Sequence, residues 1–69
     1  MENFGTLLKE LREEKELSQM ELSKQIDITQ SSIARYELNK TEPKLTDIKK
    51  IAIFFGVTAD YLLGLKDDY

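Results

Sequence analysis

Apolar residues along this chain recur at three- and four-residue intervals, and the intervals break wherever Ser, Thr, Asn, Gly or Pro collect. Phe4, Leu8 and Leu11 fall at i, i+4 and i+7, so a helix over about 4–15 has one apolar face. Its outer face holds Glu10, Glu13 and Glu14, a solvated surface. Leu22 and Ile26 give a second helix, 19–26, its buried stripe, and Ile33 and Tyr36 do the same for a third, 30–38. Leu45, Ile48, Ile51, Ala52 and Phe55 trace a fourth over 45–55. Thr58 and Gly64 bracket a short fifth, 59–63, and the patternless end, 65–69, is expected to fray. The pattern predicts an all-α fold, one compact five-helix domain over 1–69.

Local chemistry sets the boundaries. Ser18 with Glu21 three residues later forms a capping box, in which hydroxyl and carboxylate each take one orphan backbone amide. Thr29 reads as a second N-cap, so the helix before it must stop near Asp27. Pro43 disfavours helix at Glu42 and suits the approach to the next helix, which leaves 39–44 as a loop. Gly56 closes the fourth helix.

Sixty-nine residues make one small domain. A chain of that size buries only about 60% of the surface exposed by its unfolded form. There is no Cys and no His, so disulfides and the usual zinc clusters cannot supply stability. Helix packing, a dimer partner, or both must do so. The longest apolar run, 51–55, falls far short of the roughly 20 residues of a membrane span. The N-terminus lacks the basic and apolar stretches of a secretory signal, so a cytoplasmic location without membrane contact is expected. Without His, Cys or a glycine-rich phosphate loop, and with carboxylates on exposed helical faces, neither enzymatic chemistry nor a cofactor is expected.

The formal net charge of −3 speaks against nucleic acid until its distribution is mapped. Residues 1–23 hold three basic and six acidic groups, and 51–69 hold one basic and three acidic. The middle, 24–50, holds six basic (Lys24, Arg35, Lys40, Lys44, Lys49, Lys50) against four acidic (Asp27, Glu37, Glu42, Asp47). The local field rather than the total attracts phosphate. Lys49 and Lys50 themselves read as ordinary surface charge.

The two middle helices, 19–26 and 30–38, are joined by only about three residues, which favours a steep crossing of the helix-turn-helix kind. Leu22, Ile26, Ile28, Ile33 and Tyr36 then share an interior, with small Ser23 at the closest approach. Gln30, Ser31, Ala34 and Arg35 point outward from the second helix of the pair. That surface suits the major groove, where Gln pairs bidentately with adenine, Arg with guanine, and Ser either donates or accepts. Gln19, at the N-terminus of the first helix of the pair, is placed to meet a phosphate. Asn39, Lys40 and Lys44 are placed for the other side of the backbone contact.

The ordered residues Leu11-Arg12-Glu13-Glu14-Lys15, Leu17-Ser18-Gln19, Glu21-Leu22, Ile33, Arg35-Tyr36-Glu37, Asn39-Lys40, Glu42-Pro43, Leu45, Phe55-Gly56-Val57 and Asp60-Tyr61-Leu62-Leu63-Gly64 closely resemble the Xre/Cro-type helix-turn-helix repressor family. The resemblance spans about Phe4 to Gly64. It implies a lambda-repressor-like domain whose recognition helix follows Thr29, with Gln30, Ser31 and Arg35 facing bases. Gln19, Thr29, Ser32, Asn39 and Lys40 would meet phosphates, and Arg12 would pair with Glu37. It further implies a homodimer on a two-fold symmetric double-stranded DNA operator, acting as a repressor, with Val57, Tyr61, Leu62 and Leu65 along the dimer seam. Tyr61 and Phe54 fit core and seam equally. Three departures are expected to lower stability modestly: Asp27 at a turn position usually held by Gly, Ser23 where a small Ala is usual, and Glu16 where Gly is common. Ser23 needs a carbonyl for its hydroxyl. A competing reading, an antitoxin or adaptor, would use the acidic first helix and the tail to grip an unknown protein partner.

Overall fold

The computed structural model describes residues 4–65. Five helices follow in order: α1 (Phe4–Glu14), α2 (Gln19–Ile26), α3 (Gln30–Glu37), α4 (Leu45–Phe55) and α5 (Ala59–Leu62). No strand occurs among the described residues. The N-cap boundaries at Ser18, Thr29 and Thr58 each carry a side-chain oxygen accepting from the amide three residues on. At Ser18 the reciprocal bond from its own amide to Glu21 completes the box at 2.8 Å. α1, α3 and α5 end one residue earlier than periodicity predicts, and Leu38 and Leu63 are the half-in capping residues of α3 and α5. Of the end predicted to fray, 65–69, Leu65 is held by its amide on the Asp60 carbonyl at 2.8 Å, and 66–69 lie outside the described residues.

Helix ends recur as one device. Glu16, Asn39, Gly56 and Gly64 all adopt positive φ, and in each case the following amide (Leu17, Lys40, Val57, Leu65) reaches back five residues to a helix carbonyl. This doubly bonded closure satisfies the last carbonyls and turns the chain sharply. Only two of the four positions hold Gly. Asp27 closes α2 more simply, with φ 56° and its amide on the Ser23 carbonyl. A short polar residue tolerates this backbone better than most, and Glu16 has no such excuse.

The core is one cluster: Leu8, Leu11, Leu22, Ile26, Ile28, Ile33, Tyr36, Ile48, Ile51 and Leu62. α3 runs through its middle, with α1 and α2 packed against it, α4 against α2 and α5, and α5 against α1. The five helix-turn-helix residues expected inside are all there. Ser23 gives its hydroxyl to the Met20 carbonyl at 2.8 Å.

Two apolar placements differ from the pattern. Leu45 is 83% exposed, although its spacing from Ile48 predicts burial. It is the first residue of α4, and the core begins one turn later, so the helix end overhangs it. Leu62 is fully buried and takes no part in an outer seam. α5 is a single turn, and Leu62 is its one buried side chain, closing the cluster beside α1 and α4. Leu65, by contrast, is 70% exposed.

Candidate nucleic-acid interface

At the C-terminal end of α3 lies a polar joint built from three helices. The Arg12 guanidinium on α1 grips the Glu37 carboxylate at the end of α3 through Nε (2.7 Å) and Nη2 (2.9 Å), and its Nη1 donates to the Leu17 carbonyl (2.8 Å). Gln19, the first residue of α2, adds its side-chain amide to Glu37 Oε1 at 3.0 Å. Both charged side chains are nearly out of water, at 11% and 4% exposure. The fork matches a planar carboxylate, and its hydrogen bonds raise the Arg12 pKa further above its already high value. Arg12 is thus a brace between α1 and α3.

Tyr36 is a second joint. Its ring meets the Phe4 ring edge-on at 5.5 Å, and its hydroxyl donates to Asp47 Oδ2 on α4 at 2.5 Å. Burial first, and then that bond, push the phenol pKa up. The backbone at the end of α3 also touches α1 directly. The Gly5 amide donates to Asn39 Oδ1 at 3.1 Å, and a methyl group at Gly5 would sit 2.0 Å from the Tyr36 carbonyl oxygen. Only Gly allows α1 so close.

In front of α3 the picture reverses. Gln30, Ser31 and Arg35 are exposed on one side of the helix, with Ala34 half-buried between them. None of the three makes a side-chain hydrogen bond or ion pair among the described residues. Three donor-bearing side chains on one rigid helix, all unoccupied, form a surface whose chemistry is directed outward.

The candidate phosphate ligands are placed less uniformly. Lys40 and Lys44 are exposed, and Lys44 makes no side-chain cap bond. Thr29 accepts from the Ser32 amide (3.1 Å) and donates to Ser32 Oγ (2.9 Å), so these two hydroxyls first serve the cap. Gln19 spends one N–H on Glu37, leaving its second N–H and its carbonyl. Asn39, at φ 59°, is primarily the turn residue that ends α3 and the acceptor for Gly5. Of the four residues read as seam, Val57 and Tyr61 are half-buried against the core, Leu65 is exposed and Leu62 is interior.

Three contributors escaped the sequence reading. Gly5 carried no signal, since a lone Gly in a helix normally only weakens it. Asp47 and Lys50 look like surface charges, yet Lys50 Nζ donates to the Asp27 carbonyl at 3.0 Å. Their three-residue spacing on α4 was the only available hint. Among the described residues no group of His, Cys, Asp or Glu is arranged to hold a metal ion, and no helix is long and apolar enough to cross a membrane.

A family model described as helix-turn-helix matches residues 8–62. The SPbeta prophage-derived HTH-type transcriptional regulator YonR of Bacillus subtilis is 37% identical over 60 residues, 87% of this chain and 56% of the relative. The HTH-type transcriptional activator BcrR of Enterococcus faecalis is 37% identical over 61 residues, 88% of this chain and 30% of the relative. The cryptic phage CTXphi transcriptional repressor RstR of Vibrio cholerae is 33% identical over 54 residues, 78% of this chain and 49% of the relative. The chain therefore spans between under a third and just over half the length of these relatives. A solved structure of the P22 c2 repressor with a synthetic operator superposes with a TM-score of 0.87, covering 96% of this chain and 100% of that one at 21% identity, a likeness of fold.

Proposed function

The chain belongs to the Xre-type helix-turn-helix family, and from that premise we propose that it is a sequence-specific, double-stranded-DNA-binding transcription regulator. The observation that carries this reading is the unoccupied stripe of Gln30, Ser31 and Arg35 on a helix whose back is bonded into the core. α3 enters the major groove, with Gln30 on adenine, Arg35 on guanine O6 and N7, and Ser31 as a less selective neighbour. Lys40 and Lys44 neutralise phosphates. Thr29 and Ser32 at the start of α3, Gln19 at the start of α2 and Asn39 after α3 supply uncharged donors to the same backbones. The names of the relatives support the class of activity, and the P22 c2 repressor is a protein of this fold in complex with an operator.

The finer reading is a repressor that occludes polymerase as a dimer on a two-fold symmetric operator in the cytoplasm. Each α3 then occupies one of two successive major grooves about 34 Å apart. Val57, Tyr61 and Leu65 form the seam, with exposed Ile53 and Leu63 added and Leu62 left to the core. The deciding experiment is selection of binding sites from random duplexes, followed by the protein's stoichiometry on the selected DNA. A shared motif with inverted half-sites and two chains per duplex is expected. Selected pools that share no motif defeat the proposal.

A further inference from the structure

α4 touches the helix-turn-helix unit through two directional bonds as well as through apolar packing. Asp47 and Lys50 stand three residues apart, on one face of α4. Asp47 Oδ2 accepts from the Tyr36 hydroxyl in the last turn of α3 at 2.5 Å. Lys50 Nζ donates to the Asp27 carbonyl at 3.0 Å, with the Asp27 carboxylate 4.0 Å away. Asp27 is the left-handed residue that ends α2, two positions before the Thr29 cap of α3. An ammonium there also meets the negative end of the α2 dipole. One bond therefore lies beyond the N-terminal end of α3 and the other near its C-terminal end.

The apolar contacts of Ile33 and Tyr36 with the core hold α3 close, but hydrophobic attraction is non-directional and leaves a rod some freedom to roll and tilt. Two hydrogen bonds at separated points, both anchored on one second helix, restrict that freedom because each weakens steeply off its preferred angle. Base reading demands such restriction. Donors must be held to within about half an ångström of productive geometry, whereas a cation attracts a phosphate over a broad range of positions.

We propose that Asp47 and Lys50 are positioning residues, a polar clamp from α4 that sets the angle at which α3 presents Gln30, Ser31 and Arg35. The clamp governs discrimination between operator and random duplex rather than affinity for DNA in general. The inference rests on α3 being the base-reading helix.

The test compares the wild-type chain with Lys50→Met, Lys50→Arg and Tyr36→Phe. Each protein is titrated against the selected operator and a random-sequence duplex of equal length at one salt concentration, and thermal melts are recorded alongside. Lys50→Met keeps the aliphatic stem, and Tyr36→Phe keeps the ring. The readout is the ratio of the two affinities. Partial unfolding, or loss of one positive charge, lowers both arms together and leaves the ratio unchanged. Loss of one clamp bond is expected to reduce the ratio about three- to tenfold, the range of one net hydrogen bond. Lys50→Arg, which keeps a donor, should restore most of it. A ratio unchanged in both Lys50→Met and Tyr36→Phe overturns the clamp, as does a Lys50→Met loss that Lys50→Arg does not reduce. A wild-type protein that prefers no sequence overturns the DNA reading itself, and the clamp with it.

Discussion

Around the C-terminal end of α3, Arg12, Glu37 and Gln19 bond to one another and Tyr36 bonds to Asp47; on its outer side, Gln30, Ser31 and Arg35 bond to nothing among the described residues. Tyr36 and Glu37 share one eight-residue helix with Gln30, Ser31 and Arg35, and all five are polar, so chemistry alone does not separate them. Burial does. A charged or amide group held away from water must be paired, because leaving it unpaired costs several kcal/mol. The same group in water costs nothing while free and is ready for an external partner. The Arg12–Glu37 pair therefore carries stability and the exposed stripe carries recognition, with the Tyr36–Asp47 bond joining the two, so substitutions at Arg12 and at Arg35 should have separable effects.

The largest effect belongs to Arg12→Met, which leaves Glu37 charged and enclosed. Denaturant titration should show a loss of about 3–5 kcal/mol, the usual result of breaking one side of a buried pair. A loss below about 1 kcal/mol would mean that the pair is far wetter than its exposure indicates. Gly5→Ala comes next, at about 1–3 kcal/mol, since overpacking must push α1 away from the Tyr36 carbonyl. Amide exchange near the end of α3 should rise with it.

Arg35→Ala sharpens the contrast from the other side. Its melting temperature should stay at the wild-type value while operator affinity falls by about 1–3 kcal/mol and one operator position becomes degenerate. Lys40→Ala should instead weaken all duplexes alike and shallow the salt dependence. Equal loss on operator and random DNA for Arg35→Ala would remove it from the reading set.

Smaller changes probe the helix ends. Glu16→Gly should raise stability by up to about 1 kcal/mol, the left-handed penalty of a non-Gly residue less the added freedom of the unfolded chain. Asp27→Gly should gain less, because a short polar side chain already tolerates that backbone. The smallest effect is the pH response of the Ser18 box. The Ser18 backbone amide, and then its hydroxyl, hold Glu21 below the ordinary carboxylate range. A depressed folded pKa contributes stability above the unfolded value of about 4.3, and this stability is lost as pH falls through the folded value. Melts of wild type and Glu21→Gln should therefore differ at pH 6 and converge once the pH falls below the folded value.

Much of the fold was legible before any coordinates. Capping at Ser18, Thr29 and Thr58 and the apolar periodicity of α1 to α4 act within three or four residues, so residue order reports them directly. The outward stripe was legible for the same reason. Once Ile33 and Tyr36 face inward, Gln30, Ser31 and Arg35 have only the other side of the helix. Residues with two acceptable surroundings were not legible. Leu45 and Leu62 both satisfy the period, yet one overhangs the core and the other closes it, because their places depend on where neighbouring helices begin.

The chain's own order thus determined the number of helices, the points where they start and stop, and the side of α3 that meets solvent, all through interactions within a single turn. Tertiary structure alone decided what holds α3 in place: Gly5 on Asn39 across 34 residues, Lys50 on Asp27 across 23, and Tyr36 on Asp47 across 11. Bonds of that kind depend on how the helices cross, and the crossing is settled by packing of the whole core, which no local pattern encodes.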